Sequence, residues 1–206
     1  MKITKYTQSC AVIEDSGARV LIDIYAADKD RLGEIDRVDA VLYTHEHGDH
    51  FDADMAKNFA EQGVPVYANA STAKQVDGKV NVVEDGQEFS VGDMKVKALE
   101  LPHCLMVDGS TSVQNTGFLL NDRAFHPGDG INLEGLKAEI LLTPIAGPDI
   151  SPKDACDFAR QVGAKESIPI HYDMMSAKPD FYANMAIRYN MPFRGHALAH
   201  GETIEL

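Results

Sequence analysis

The chain has 206 residues, of which 44% are apolar and 25% charged, enough to bury an ordinary core without disulfides. Lys and Arg number 19 against 32 Asp and Glu, for a formal charge of −13. That balance argues against a nucleic-acid groove or an anionic membrane face, since both need a basic patch. A small anionic substrate stays admissible, because bound cations turn one pocket locally positive. No apolar run reaches the roughly 18 residues of a membrane span, and MKITKYTQSC has no apolar signal core. Cys10, Cys104 and Cys156 are odd in number and far apart, so they read as reduced thiols of a cytoplasmic protein. No Ser/Gly/Pro linker divides the chain, and residues 1–206 read as one domain.

The opening predicts a β-meander. KITKYT and SCAVIED are strands, Ser16-Gly17 is a turn, and ARVLIDIY is a β-branched apolar run. DAVLYT (39–44) is a buried strand that stops at the polar loop HEHGDHF. A helix follows over about 53–62, capped by Asp52 and stopped at Gly63. Strands are expected at 65–68, 80–83 and 94–101. GFLLN and RAF form a hairpin about Asn121-Asp122, and EILLTPI is another buried strand. SPKDACDFARQVGA is a helix with Ser151 at the N-cap, Pro152 in the first turn, Asp154 completing a capping box and Gly163 at the end. ESIPIH is a strand, 179–190 a helix, and GHALAHGETIEL a final hairpin. Two rounds of strands followed by helices predict an α/β (α+β) architecture of two sheets packed face to face with helices outside.

The chemistry concentrates in HEHGDH. His45, His47, Asp49 and His50 fall within six residues, directly after a buried strand. Loops at strand ends are where rigid scaffolds present functional groups. Imidazole and carboxylate suit zinc, and accommodate manganese or iron less selectively. Four donors this close in sequence strain a single tetrahedral site, whereas two ions divide them. His45 and His47 then take one ion, and Asp49 and His50 the other. His103, Asp129 and His171 stand at the same structural position, just past an apolar strand. Five imidazoles and two carboxylates suit a dinuclear site in which one carboxylate bridges.

HEHGDH resembles the H-x-H-x-D-H signature of the metallo-β-lactamase superfamily of hydrolases. KITKYTQSCAVIEDSGARVLIDIY is similar to that superfamily's N-terminal meander, TGFLLNDRAFHPGDG to its central segment, and SIPIHYD to its closing strand. Within it the chain is most similar to the compact branch related to L-ascorbate-6-phosphate lactonase and N-acyl-phosphatidylethanolamine phospholipase D. The resemblance implies a four-layer αββα sandwich of two mixed sheets. It also implies two divalent cations, zinc first, with manganese or iron as alternatives. His45, His47 and His103 would hold one, Asp49, His50 and His171 the other, and Asp129 would bridge. His126 competes with His103 for the first set; standing three residues before Asp129, it reads instead as a neighbour of the site. Asp23 reads either as support for the metal loop or as a simple turn acid.

The expected activity is hydrolysis of an ester, lactone or phosphodiester of a small molecule by metal-activated water, with Asp49 orienting the nucleophile. No Ser or Cys nucleophile is needed. Rival readings are a nuclease of the same superfamily, a redox di-iron protein and a non-catalytic metal-binding regulator. The acidic charge opposes the first, and His47 stands where di-iron members carry Glu. The expected partner is a small-molecule substrate, without nucleic acid or membrane insertion. Self-association into a homo-oligomer stays open.

Overall fold

The computed structural model describes residues 1–35 and 37–206, and only the backbone of Arg31, Leu32 and Glu34. Strands β1 (Lys2–Lys5), β2 (Ala11–Asp15) and β3 (Ala18–Ile22) run antiparallel. Strands β4 (Ala40–Tyr43), β5 (Val66–Ala68) and β6 (Asn81–Val82) continue the sheet in parallel. The second sheet follows the same plan. β7 (Glu88–Val91), β8 (Met94–Glu100), β9 (Thr116–Leu120) and β10 (Ala124–His126) are antiparallel. β11 (Ile140–Pro144), β12 (Glu166–Ile170) and β13 (Arg194–Gly195) are parallel. A last strand, β14 (Thr203–Glu205), returns to pair with β1, so each sheet has seven strands.

Side-chain patterns explain the layers. β8 alternates, sending Met94, Val96 and Ala98 into the core and Lys95 outward. β4, β11 and β12 are buried along their whole length, as parallel strands covered on both faces must be. Ile13, Val20, Leu42, Phe118, Leu142 and Ile168 fill the space between the sheets. Helix α1 (Ala53–Glu61) covers the outer face of the first sheet, where Met55 meets Val41 and Tyr43. The short helix α2 (Ala70–Ala73) follows β5. Helices α3 (Pro152–Val162) and α4 (Pro179–Arg188) cover the second sheet through Phe158, Val162 and Tyr182. The arrangement is the expected four-layer sandwich of two mixed sheets.

Helix α3 carries the expected punctuation. Ser151 and Asp154 cap each other, and Gly163 ends the helix at φ 74°. Phe158 is 1% exposed and packs in this outer layer. Phe158→Ala should therefore cost about 3–5 kcal/mol, read as a lower urea midpoint at unchanged slope.

The structure corrects several expectations. GHALAHGETIEL is not a hairpin: β13 pairs with β12 in one sheet, and β14 with β1 in the other. The segment between them crosses from sheet to sheet because Leu198 drops into the central core. The strand expected over ARVLIDIY stops at Ile22, because Asp23 turns the chain at φ 54°. A 3-10 helix at Ala26–Glu34 had no apolar period to announce it. Strand β7 and helix α2 were likewise unannounced. Among the described residues, no helix is long and apolar enough to cross a membrane.

Candidate metal centre

The segments that follow strands of both sheets carry the polar side chains. The loop after β4 supplies His45, His47, Asp49 and His50. The segments after β8, β10 and β12 supply His103, Asp129 and His171. His45, His47 and His103 offer ligand atoms all within 4.8 Å of one another, and so do Asp49, His50 and His171. Asp129 lies between the two sets. Its Oδ1 is 3.1 Å from His50 Nε2, and its Oδ2 is 3.1 Å from His171 Nε2, 3.4 Å from His103 Nε2 and 3.9 Å from His45 Nε2. Asp49 Oδ2 is 3.2 Å from His171 Nε2.

The ring orientations are built in from behind. His171 Nδ1 donates to Ala146 O at 2.7 Å, and His103 Nδ1 to Cys104 O at 2.6 Å. His50 Nδ1 meets Asp23 Oδ2 at 2.8 Å. Thr44 gives its hydroxyl proton to Asp23 at 2.7 Å, so its oxygen is free to accept from His45 Nδ1 at 3.0 Å. Each of these four rings is thus fixed through Nδ1 and turns Nε2 inward, as ligating histidines require. Asp23 acts as support for the loop, binding the Thr44 N–H as well.

The inward atoms make no well-formed hydrogen bond. Nε2 of His45, His50, His103 and His171 are buried, as is Asp129 Oδ1, and the four nitrogens meet Asp129 only at ion-pair distances of 3.1–3.9 Å. Buried polar atoms rarely stay unpaired. Four imidazole nitrogens around shared carboxylates are the donor set a pair of divalent cations would satisfy.

Electrostatics divides the histidines. Burial, aided by His50, holds the His45 pKa well below its ordinary value. Burial and His103 lower His47. Both are neutral and present lone pairs. Burial also opposes charge on His50, but Asp129 and Asp23 outweigh it and push that pKa well up. His171 rises to about 9 in the same way, burial being overcome by Asp129 and Asp49. Burial works against the Asp129 carboxylate, yet His50 and His171 hold it ionised. The carboxylates thus favour protons on His50 and His171, which a bound cation would displace.

His126 joins neither set. Its Nε2 donates to Ser9 O at 2.8 Å, and its Nδ1 accepts the Gly128 N–H at 3.2 Å, so it braces the Asp129 loop. His196 pairs with Glu166 at 2.6 Å, and His200 rests against Tyr6 and Asp28. The sequence reading missed three contributors. Asn115 ties Pro127 O at 2.9 Å and accepts the Asp129 N–H at 3.3 Å. Ser112 Oγ lies 3.1 Å from His47 Nε2. Gln8 donates to Asp49 Oδ2 at 3.0 Å. None carries a charge or sits in a spacing that marks it.

A family profile described as Beta-lactamase superfamily domain matches residues 2–171. The UPF0173 protein PYRAB01190 of Pyrococcus abyssi is 36% identical, over 84% of this chain and 83% of its own. A UPF0173 metal-dependent hydrolase of Rubrobacter xylanophilus is 26% identical, over 91% of this chain and 89% of its own. In fold, the chain superposes on Igni18, a metallo hydrolase of Ignicoccus hospitalis, with a TM-score of 0.80 at 17% identity, covering 98% of this chain and 97% of that one. A match across most of the length, through the loops just described, places the chain in the metallo-β-lactamase superfamily and, within it, in the UPF0173 family of metal-dependent hydrolases.

Proposed function

We propose that the chain hydrolyses an ester, lactone or phosphodiester bond of a small molecule at a site holding two divalent cations. The observation that carries this reading is the convergence of four buried Nε2 atoms, none in a well-formed hydrogen bond, on Asp129. His45, His47 and His103 would hold one cation and Asp49, His50 and His171 the other, with the Asp129 carboxylate available to both sets. Bound cations supply Lewis acidity and bring the pKa of water toward about 7. Zinc suits this donor set best, with manganese and iron as alternatives.

The residues themselves do the rest. Asp49 has 23% of its side chain exposed, so it alone of the two carboxylates reaches the open side of the centre. Burial opposes its charge, but His171 and His50 hold it ionised, so it accepts a hydrogen bond from attacking water and orients it. Cys104 takes no part as nucleophile. Burial and the nearby Asp129 push its thiol up to about 12. The segment 105–117 enters from the open side, since Ser112 reaches His47.

The formal charge of −13 favours a small substrate over RNA or DNA. The resemblance to the lactonase and phospholipase D branch selects the panel. Chain reconstituted with zinc or manganese should turn over a lactone or a phosphodiester, lose that turnover on chelation, and leave RNA intact. Metal-dependent RNA cleavage or oxygen uptake in place of hydrolysis overturns the reading.

A further inference from the structure

Three buried residues adopt left-handed backbone conformations without being glycine: Gln8 at φ 53°, Asp23 at φ 54° and His171 at φ 58°. Among the described residues, the other non-glycine ones with positive φ are Ser16, Asn121, Asp122 and Asn190, none of them buried and all of types that tolerate turns. Glutamine has no such tolerance, so the fold holds Gln8 there against its backbone preference. Strain of this kind persists where the surroundings over-determine a functional position. Asp23 and His171 already belong to the centre. Gln8 is the third.

Gln8 is fully buried, and every polar atom it owns is engaged. Its N–H donates to Asp173, and its carbonyl accepts the His171 N–H at 3.1 Å. Its side-chain oxygen accepts the Met174 N–H at 3.3 Å, and its Nε2 donates to Asp49 Oδ2 at 3.0 Å. One residue thereby grips two members of the second ligand set, His171 through the backbone and Asp49 through the side chain. The donor is neutral. It fixes the carboxylate plane without cancelling the charge that a cation needs. The neighbouring buried ammonium of Lys5 is held by Asp173 at 2.7 Å.

Taking the dinuclear reading above as given, we infer that Gln8 is the positioning residue of the second site, setting Asp49 and His171 for cation binding. Two substitutions separate this from a purely structural role. Gln8→Asn suits the left-handed backbone, yet is one methylene too short to reach Asp49. Gln8→Met keeps the length and removes the donor. Apo-protein is titrated with Co²⁺ alone, followed by visible absorption, beside a thermal melt of each apo-variant. Wild-type chain should take two ions. Both variants should bind the first ion as wild type does and the second about 10–100-fold more weakly, with Gln8→Asn melting no lower than wild type. Equal loss of both ions together with a lower melting temperature in both variants makes Gln8 merely structural and overturns the inference. So does wild-type affinity at both sites. A wild-type chain that takes fewer than two ions overturns the dinuclear reading and this inference with it.

Discussion

Asp129→Asn should abolish turnover, lowering it by about 10³-fold or more, and should empty both cation sites together. Among the described residues, Asp129 is the one carboxylate that faces His45, His50, His103 and His171 at once. Asparagine has the same shape but no charge. The backbone bonds that seat the loop survive the change, since Asp129 N–H donates to Asn115 and Asp129 O accepts the Cys104 N–H at 3.0 Å. The fold should therefore persist while the centre fails. Metal content by mass spectrometry and turnover of the substrate identified for wild type check both halves. Retention of two ions by a folded Asp129→Asn chain would remove Asp129 from the ligand set.

Gly128→Ala should be the most damaging glycine change near the centre, at about 3 kcal/mol or more. Gly128 sits at φ 60°, and a Cβ there would lie 2.2 Å from Asn115 Oδ1 and 2.8 Å from Thr44 Cβ and Oγ1. Neither neighbour can yield cheaply. Asn115 holds Pro127 and Asp129, and Thr44 links Asp23 to His45. Gly163→Ala is the internal comparison. It has a similar φ of 74°, but only the flexible Lys137 comes within 4 Å, so it should cost about 1–2 kcal/mol. Thermal melts of the two variants, with cation titrations, test the difference. Equal losses would mean that Asn115 and Thr44 yield to a Cβ at position 128 more easily than the geometry indicates.

The parts of this centre differ in how plainly the sequence displays them. His45, His47, Asp49 and His50 are contiguous after a buried strand, so the loop identifies itself. His103, Asp129 and His171 are single residues whose common trait, a place at a strand end, joined them to the loop, and the family resemblance was needed to assign each to a ligand set. Asp23 stood undecided between support and turn, because its contacts with Thr44 and His50 exist only after β3 and β4 pair. Gln8 and Asn115 were illegible. Carboxamides occur in any polar loop, and nothing local says that Gln8 will meet Asp49 or that Asn115 will meet Asp129. In the fold, α3 was read to the residue because its caps are local. The terminal segment was misread because it passes from one sheet to the other with Leu198 in the central core, a choice made by the core and not by alternation.

The donors come from both sheets, four from the loop after β4 and three from loops of the second sheet, the last at His171. During synthesis the ribosome therefore releases HEHGDH long before the residues that close around it. A nascent chain bears three imidazoles with no opposing wall, and β12 must dock beside β11 before His171 swings into place. The set of Asp49, His50 and His171 is accordingly completed late, only after β12 has been made and docked, so a half-made chain could not enclose an ion there.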